Sequence, residues 1–154
     1  MTGKLKISNS LRLLLGVLPL ILSFQICAIF ETPERVDISV EAPVTVSQGE
    51  RFQLLVRVAN TASSTQVLVD LDIADEYLEG LVVESSLPMF SDSRHIPLDN
   101  TISYSYDIPI ESGEEIEVIF EVFAAKVGDF SGDIDFCIND EASCLSHHIR
   151  TIVE

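Results

Sequence analysis

The segment Arg51-Phe52-Gln53-Leu54-Leu55-Val56-Arg57-Val58 decides the fold class of this chain. Every second residue in it is apolar, and polar or charged residues occupy most of the positions between. Because successive side chains of a β-strand point to opposite faces, this alternation predicts a strand with one buried and one solvated face. The residues predicted to face the core are Phe52, Leu54, Val56 and Val58.

The same two-residue period returns at Val67–Ile73, Ile102–Ile108 and Ile116–Val122. In the first of these, Val67, Val69, Leu71 and Ile73 are expected to point inward, and Asp70 and Asp72 outward. Further strands are predicted around Val36–Val46, Leu81–Glu84, Gly132–Ile138 and Leu145–Val153.

Turn residues separate these runs, and no segment keeps a helical period; Asp75–Glu79 is predicted to form one helical turn at most. Seven or eight short strands, each with one apolar face, predict an all-β fold. We therefore expect residues 31–154 to form a single antiparallel, immunoglobulin-like β-sandwich.

Residues 1–30 differ from the rest because they contain no acidic side chain. Lys4, Lys6 and Arg12 precede the apolar run Leu13–Phe30, which predicts an N-terminal hydrophobic helix that serves as a signal peptide or a membrane anchor. Cleavage after Ala28 and retention as an anchor both stay open; Ile26 disfavours lipid attachment at Cys27. Either way, residues 31–154 are expected outside the cytoplasm, secreted or anchored to the membrane.

Residues 31–154 carry six basic and 25 acidic side chains, a formal charge of −19. Such a charge argues against nucleic acid, whose phosphates need clustered lysine and arginine. The sequence also lacks the known hydrolase, zinc-protease and phosphate-loop motifs. We expect a protein that is not an enzyme, needs no cofactor, and binds an unknown envelope or surface protein.

Cys137 and Cys144 are the two cysteines of the exported part, with six residues between them. Disulfides persist outside the reducing cytosol, so these cysteines are predicted to form one across the last hairpin. A zinc site is disfavoured, because the neighbouring His147 and His148 would point to opposite faces of a strand.

Calcium is the specific ligand that the sequence favours, since Asp70, Asp72, Asp75 and Glu76 place four carboxylates at the end of one predicted strand. A second group of acids, Asp133-Ile134-Asp135 and Asp140-Glu141, lies near the final hairpin. The alternative function is thus a calcium- or carbohydrate-binding module. Both groups are also compatible with an ordinary solvated sheet face.

Met89 and Phe90 form a candidate partner-binding site in the predicted long connection Ser85–Asn100. Apolar residues between prolines in a loop are typical of a contact surface. The alternative interpretation is that both side chains fold back and cap the sandwich.

The chain resembles bacterial immunoglobulin-like surface domains of the adhesion-related, CARDB-like kind. Five segments carry the resemblance: Ala42-Pro43-Val44, Gln48–Phe52, Val56–Asn60, Ile108–Glu114 and Ala125–Phe130. The resemblance implies a β-sandwich that acts as a spacer or an adhesion module in the cell envelope.

Overall fold

The computed structural model describes residues 35–154, which form two β-sheets packed face to face. The predicted leader, residues 1–30, lies outside the described residues. Within residues 35–154, no helix has the length and apolar character needed to cross a bilayer.

The described residues contain ten strands and one helical turn. In chain order these are β1 Val36–Glu41, β2 Thr45–Val46, β3 Arg51–Asn60, β4 Gln66–Ala74, α1 Asp75–Leu78, β5 Leu81–Leu87, β6 Asp92–Ile96, β7 Thr101–Ile110, β8 Glu115–Ala124, β9 Gly128–Ile138 and β10 Cys144–Val153. One sheet has the order β1-β3-β8-β5, and the other has the order β2-β10-β9-β4-β7-β6. Neighbours are antiparallel except β2 and β10, so the predicted sandwich is confirmed with more strands than expected.

The predicted opening strand Val36–Val46 is divided between the two sheets. β1 pairs with β3 in the four-stranded sheet, and β2 pairs in parallel with β10 in the six-stranded sheet. Pro43 lies at the crossing, where its missing N–H interrupts a ladder least. Its carbonyl accepts a hydrogen bond of 2.9 Å from the Thr151 hydroxyl.

Alternation places the expected side chains of β3 in the core, where Leu54, Val56 and Val58 are fully buried. Aromatic residues fill the centre between the sheets. Tyr104 of β7 meets Phe120 of β8 edge to face, with ring centroids 5.4 Å apart. Burial raises the pKa of the Tyr104 hydroxyl to about 12, so it stays protonated at physiological pH.

The prediction for β4 was wrong in its first half. A bulge between Leu68 and Asp70 shifts the register, so Leu68 enters the core while Val67 and Val69 stay partly exposed. An extra residue in one strand reverses which side chains face inward on either side of it. Beyond the bulge, Leu71 and Ile73 point inward as predicted.

The predicted connection Ser85–Asn100 is in large part strand. β5 runs to Leu87, and Asp92–Ile96 form β6, the edge strand of the six-stranded sheet. Polar residues occupy most positions of β6, so no apolar alternation marked it in the sequence. His95, which falls within the predicted connection, lies on this strand.

The final hairpin joins β9 and β10, and Cys137 and Cys144 face each other at its closed end as a disulfide. The predicted pairing of these cysteines is confirmed. In the loop, the Asp140 carboxylate accepts hydrogen bonds from the backbone N–H groups of Ala142 and Ser143, which lower its pKa. The hairpin tip is therefore an ordered turn.

Candidate functional site

The outer face of the six-stranded sheet carries rows of carboxylates and hydroxyls. One row, read from β10 to β6, consists of Ser146, Asp135, Asp72, Ser103 and Arg94. Asp72 and Asp135 are direct cross-strand partners. Like charges in this position repel each other, so the row favours a proton or a cation between them.

Asp72 shows the effect of this arrangement. Its carboxyl is half buried, and the resulting loss of hydration raises its pKa. The nearby charges of Asp70 and Asp135 raise it further, whereas Ser103 and Arg94 act in the opposite direction. The Oδ1 atom of Asp72 has no hydrogen-bond partner among the described residues.

Asp70 is buried, with 3% of its surface exposed, although its side chain belongs to the outer face. The Arg94 guanidinium of β6 reaches the Glu141 carboxylate of the hairpin tip at 3.3 Å. Because β7 and β4 lie between these two residues in the sheet, their ion pair crosses the strand that carries Asp70. The Oδ1 atom of Asp70 also has no hydrogen-bond partner within residues 35–154.

An acidic cleft of about 330 Å³ lies beside the next row of the same face. Its carboxylates come from three parts of the fold: Glu76 from α1, Asp99 from the turn between β6 and β7, and Asp133 and Asp135 from β9. The residues that line it include no lysine or arginine within the described chain. The walls of this acidic cleft therefore attract positive charge.

Helical turn α1 places Glu76 at the cleft because Tyr77, next to it, is fully buried. The Tyr77 hydroxyl is 3.0 Å from the Thr151 hydroxyl of β10. Gly132 makes this packing possible: a Cβ atom there would lie 2.8 Å from Ala74 Cβ and 3.2 Å from Tyr77 Cβ. Only glycine lets the turn lie this close to β9.

Thr101 and His148 complete the acidic cleft. Thr101 is 7% exposed, and its Oγ1 atom has no hydrogen-bond partner among residues 35–154. A buried hydroxyl without a partner costs about 1–3 kcal/mol, so this position gains from a ligand that supplies a donor. On the opposite wall, His148 Nδ1 lies 2.8 Å from Asp133 Oδ1.

The structure does not bring the four predicted calcium ligands together. Asp70 and Asp72 lie on the sheet face, whereas Asp75 is bound to His95 Nε2 at 2.7 Å and Glu76 lines the acidic cleft. Within the described part of the chain, no three His, Cys, Asp or Glu side chains are placed to hold one metal ion. Calcium binding by the four residues stays a prediction.

The two predicted partner-binding residues have different environments. Met89 is 80% exposed, whereas Phe90 packs edge to face on Tyr104, with ring centroids 5.1 Å apart. The Ser86 hydroxyl donates to the Pro88 carbonyl at 2.7 Å and accepts from the Phe90 N–H at 3.2 Å. Phe90 thus folds back onto the sandwich while Met89 stays exposed, and partner binding by these residues stays a prediction.

Sequence reasoning missed Asp99, Thr101 and His148 as neighbours of one cleft. Asp133 and Asp135 carried a signal, because residues two apart on a strand share a face. The other three come from a turn and two separate strands. Only the register of the sheet, which pairs His148 with Asp133, brings them together.

These features define an immunoglobulin-like β-sandwich domain with an acidic outer sheet face. No protein-family profile and no curated protein matches the sequence. Salmonella alpha-2-macroglobulin aligns with a TM-score of 0.52 and 15% identity, over 77% of this chain and 7% of its own. AvmM, described as catalysing macrocyclization in alchivemycin A biosynthesis, aligns with a TM-score of 0.51 and 8% identity, over 79% of this chain and 90% of its own.

A CARDB domain from Pyrococcus furiosus, described in complex with di-metal ions, aligns over 80% of this chain and 92% of its own. The identity is 14% and the TM-score is 0.47. The present chain spans about 7% of the length of the alpha-2-macroglobulin it matches. At these identities the likenesses show the fold alone, and the predicted immunoglobulin-like sandwich is confirmed at that level.

Asp72→Asn should raise the melting temperature at neutral pH. Since the native pKa of Asp72 is raised, the folded protein holds this proton more tightly than the unfolded chain does. Stability is therefore lost as the pH rises from the ordinary carboxyl pKa, about 3.9, through the raised value. The gain from the substitution should shrink as the pH approaches about 4, and thermal unfolding across the pH range measures it.

Asp37→Asn is the matched control, because Asp37 is an exposed acid on β1. The same change of charge there should alter the melting temperature little at any pH. An equal gain in melting temperature from Asp72→Asn at acidic and neutral pH would contradict a raised pKa for Asp72.

Proposed function

We propose that this chain is an exported, non-enzymatic domain that binds a protein partner at the cell envelope, as adhesion-related domains of this fold do. The observation that supports the proposal best is the apolar loop Leu87–Phe90, which begins at the last residue of β5 and leads to β6. Leu87 is 70% exposed and Met89 is 80% exposed, although both are large apolar side chains.

Contacts with the sandwich hold the apolar loop in place, which distinguishes it from an unstructured surface segment. Phe90 packs against Tyr104, and Ser86 bonds the loop at Pro88 and Phe90. The Tyr106 hydroxyl donates to Ser86 Oγ at 3.0 Å and ties this cluster to β7. A preorganised loop loses little conformational entropy on binding, so its exposed side chains suit the role of contact residues.

Two features support export. The leader has the basic start and apolar run of a signal peptide or membrane anchor. The second is the disulfide between Cys137 and Cys144, because disulfides persist in oxidising compartments and are rare in the cytosol. The proposal leaves cleavage and anchoring as the two forms of export.

Leu87→Ser combined with Met89→Ser should remove partner binding and leave the fold intact. Exposed substitutions normally change stability by less than about 0.5 kcal/mol, whereas the loss of two central contacts weakens binding by at least about tenfold. A photo-crosslinking residue at position 89 in living cells should give a discrete protein adduct. The double variant should compete poorly with the crosslinking protein for that partner, whereas the unaltered protein should compete well.

Val127→Ser is the matched control, since Val127 is also apolar and 62% exposed but lies between β8 and β9. A photo-crosslinker at position 127 should not give the same adduct. Identical adducts from both positions, or none from position 89, would contradict a contact role for the apolar loop.

The cysteine pair tests export independently of any partner. If the domain lies outside the cytoplasm, Cys137 and Cys144 should resist alkylation in intact cells and react only after reduction. Mass spectrometry of the protein after rapid alkylation measures this state. A variant that lacks residues 1–30 should keep both thiols reduced, and reduced thiols in the full chain would contradict export.

Calcium binding is a second candidate function, favoured by the unpartnered oxygens of Asp70 and Asp72. Buried carboxylate oxygens without hydrogen bonds are costly, and a hard cation with water ligands would satisfy them. Millimolar calcium should then raise the melting temperature of the full chain. Asp70→Asn should abolish the increase and Asp75→Asn should preserve it, whereas no heat of binding and no shift would exclude the ion.

A further inference from the structure

We propose that the acidic cleft receives a basic side chain of the protein partner, an arginine guanidinium or a lysine ammonium group. This inference rests on the proposed function and specifies the chemistry of one contact. The acidic cleft and the apolar loop lie at opposite ends of β6, so one partner has room to contact both.

The size of the acidic cleft favours an organic cation over a bare metal ion. The cavity measures about 330 Å³, whereas a water molecule takes about 30 Å³ in the liquid. Its carboxylates are spread around the walls, and in residues 35–154 no three metal-ligating side chains converge on one point. A guanidinium or ammonium group with several N–H donors can reach separate carboxylates, which a single small ion does not.

The charge of the acidic cleft supplies the attraction. Glu76, Asp99, Asp133 and Asp135 surround it, and the described residues that line it include no lysine or arginine; His148, paired with Asp133, is the one basic side chain among them. Hydrogen bonds between a cationic donor and a carboxylate are about twice as strong as neutral ones. A cleft with walls of one charge sign also concentrates ions of the opposite sign.

Thr101 provides an observation that does not depend on the acids. It lines the acidic cleft and is more than nine-tenths buried, and its Oγ1 atom has no hydrogen-bond partner in the described chain. A hydroxyl in this state accepts a hydrogen bond from a ligand N–H without losing another partner. An inserted amino or guanidinium group supplies such a donor.

Contacts with the rest of the fold fix the residues that form the walls of the acidic cleft. Glu76 is held by the burial of Tyr77 over Gly132, and Asp133 is oriented by His148. The turn that carries Asp99 and Asn100 is fixed to α1, because the Asp75 N–H donates to the Asn100 carbonyl at 2.8 Å. These supports hold the walls in place before a ligand arrives.

The test is a titration of the isotope-labelled full chain, in non-ionic detergent micelles, with a short neutral-ended peptide that contains one arginine. Amide resonances of Asn100, Thr101, Ser131 and Gly132 should shift together and saturate. The peptide with citrulline in place of arginine has the same shape and no charge, and it should cause no saturable shift. A lysine peptide should shift the same resonances.

Glu76→Gln with Asp99→Asn should weaken arginine binding at least tenfold. Neither carboxylate forms a hydrogen bond or ion pair with another described residue, so the fold should be unaffected. Glu114→Gln with Glu115→Gln removes the same charge at the start of β8 and should leave the affinity unchanged. Raising the salt from about 0.01 M to about 0.1 M shortens the Debye length from about 30 Å to about 10 Å and should also weaken binding.

The proposal is overturned if citrulline binds as well as arginine, or if shifts spread over all acidic surfaces without saturation. It is also overturned if calcium chloride alone saturates these resonances while arginine does not, because the acidic cleft would then be a metal site. A crosslinked partner at position 89 together with no arginine binding would refute this inference and leave the proposed function standing. Arginine binding without any crosslinked partner would refute the proposed function. It would also refute the inference that the basic group belongs to a protein partner.

Discussion

The structure depends on one constraint, which is that each strand must bury one face of its side chains between the two sheets. Fully buried residues such as Leu54 on β3 and Phe136 on β9 meet this requirement. Because side chains alternate, most polar residues of the same strands are directed to the outer face, although Thr151 of β10 is buried against Tyr77. The acidic rows of the six-stranded sheet therefore follow from the way the core is filled.

Neutralisation of these acids differs between the two sheets. On the four-stranded sheet, Arg57 lies between Glu41 and Glu117 and pairs with both. On the six-stranded sheet, Arg150 pairs with Asp129, but Asp70 and Asp72 keep an unpartnered oxygen each, and Arg94 pairs with Glu141. Exposed pairs contribute little stability, so the difference matters more for binding than for folding. It leaves the six-stranded sheet as the face with unsatisfied acceptors and a cleft for positive charge.

The sequence predicted the strands that have a clean two-residue period, and it failed where another local rule intervened. The bulge after Leu68 reversed the faces of Val67 and Val69, and nothing in the residue pattern marks an inserted residue of this kind. β6 was not predicted because an edge strand with both faces exposed to solvent needs no apolar alternation. The acidic cleft was harder still, since Glu76, Asp99 and His148 are far apart in sequence and meet only through the sheet register.

The sequence by itself determined the all-β sandwich, the cysteine pair and the acidic outer face, because these depend on local alternation and short separations along the chain. Tertiary structure alone decided which acids meet. It buried Asp70, tied Asp75 to His95, and brought Glu76 to the cleft beside Thr101. The reason is physical: alternation tells each side chain which face it occupies, whereas strand order and register decide its neighbours on that face.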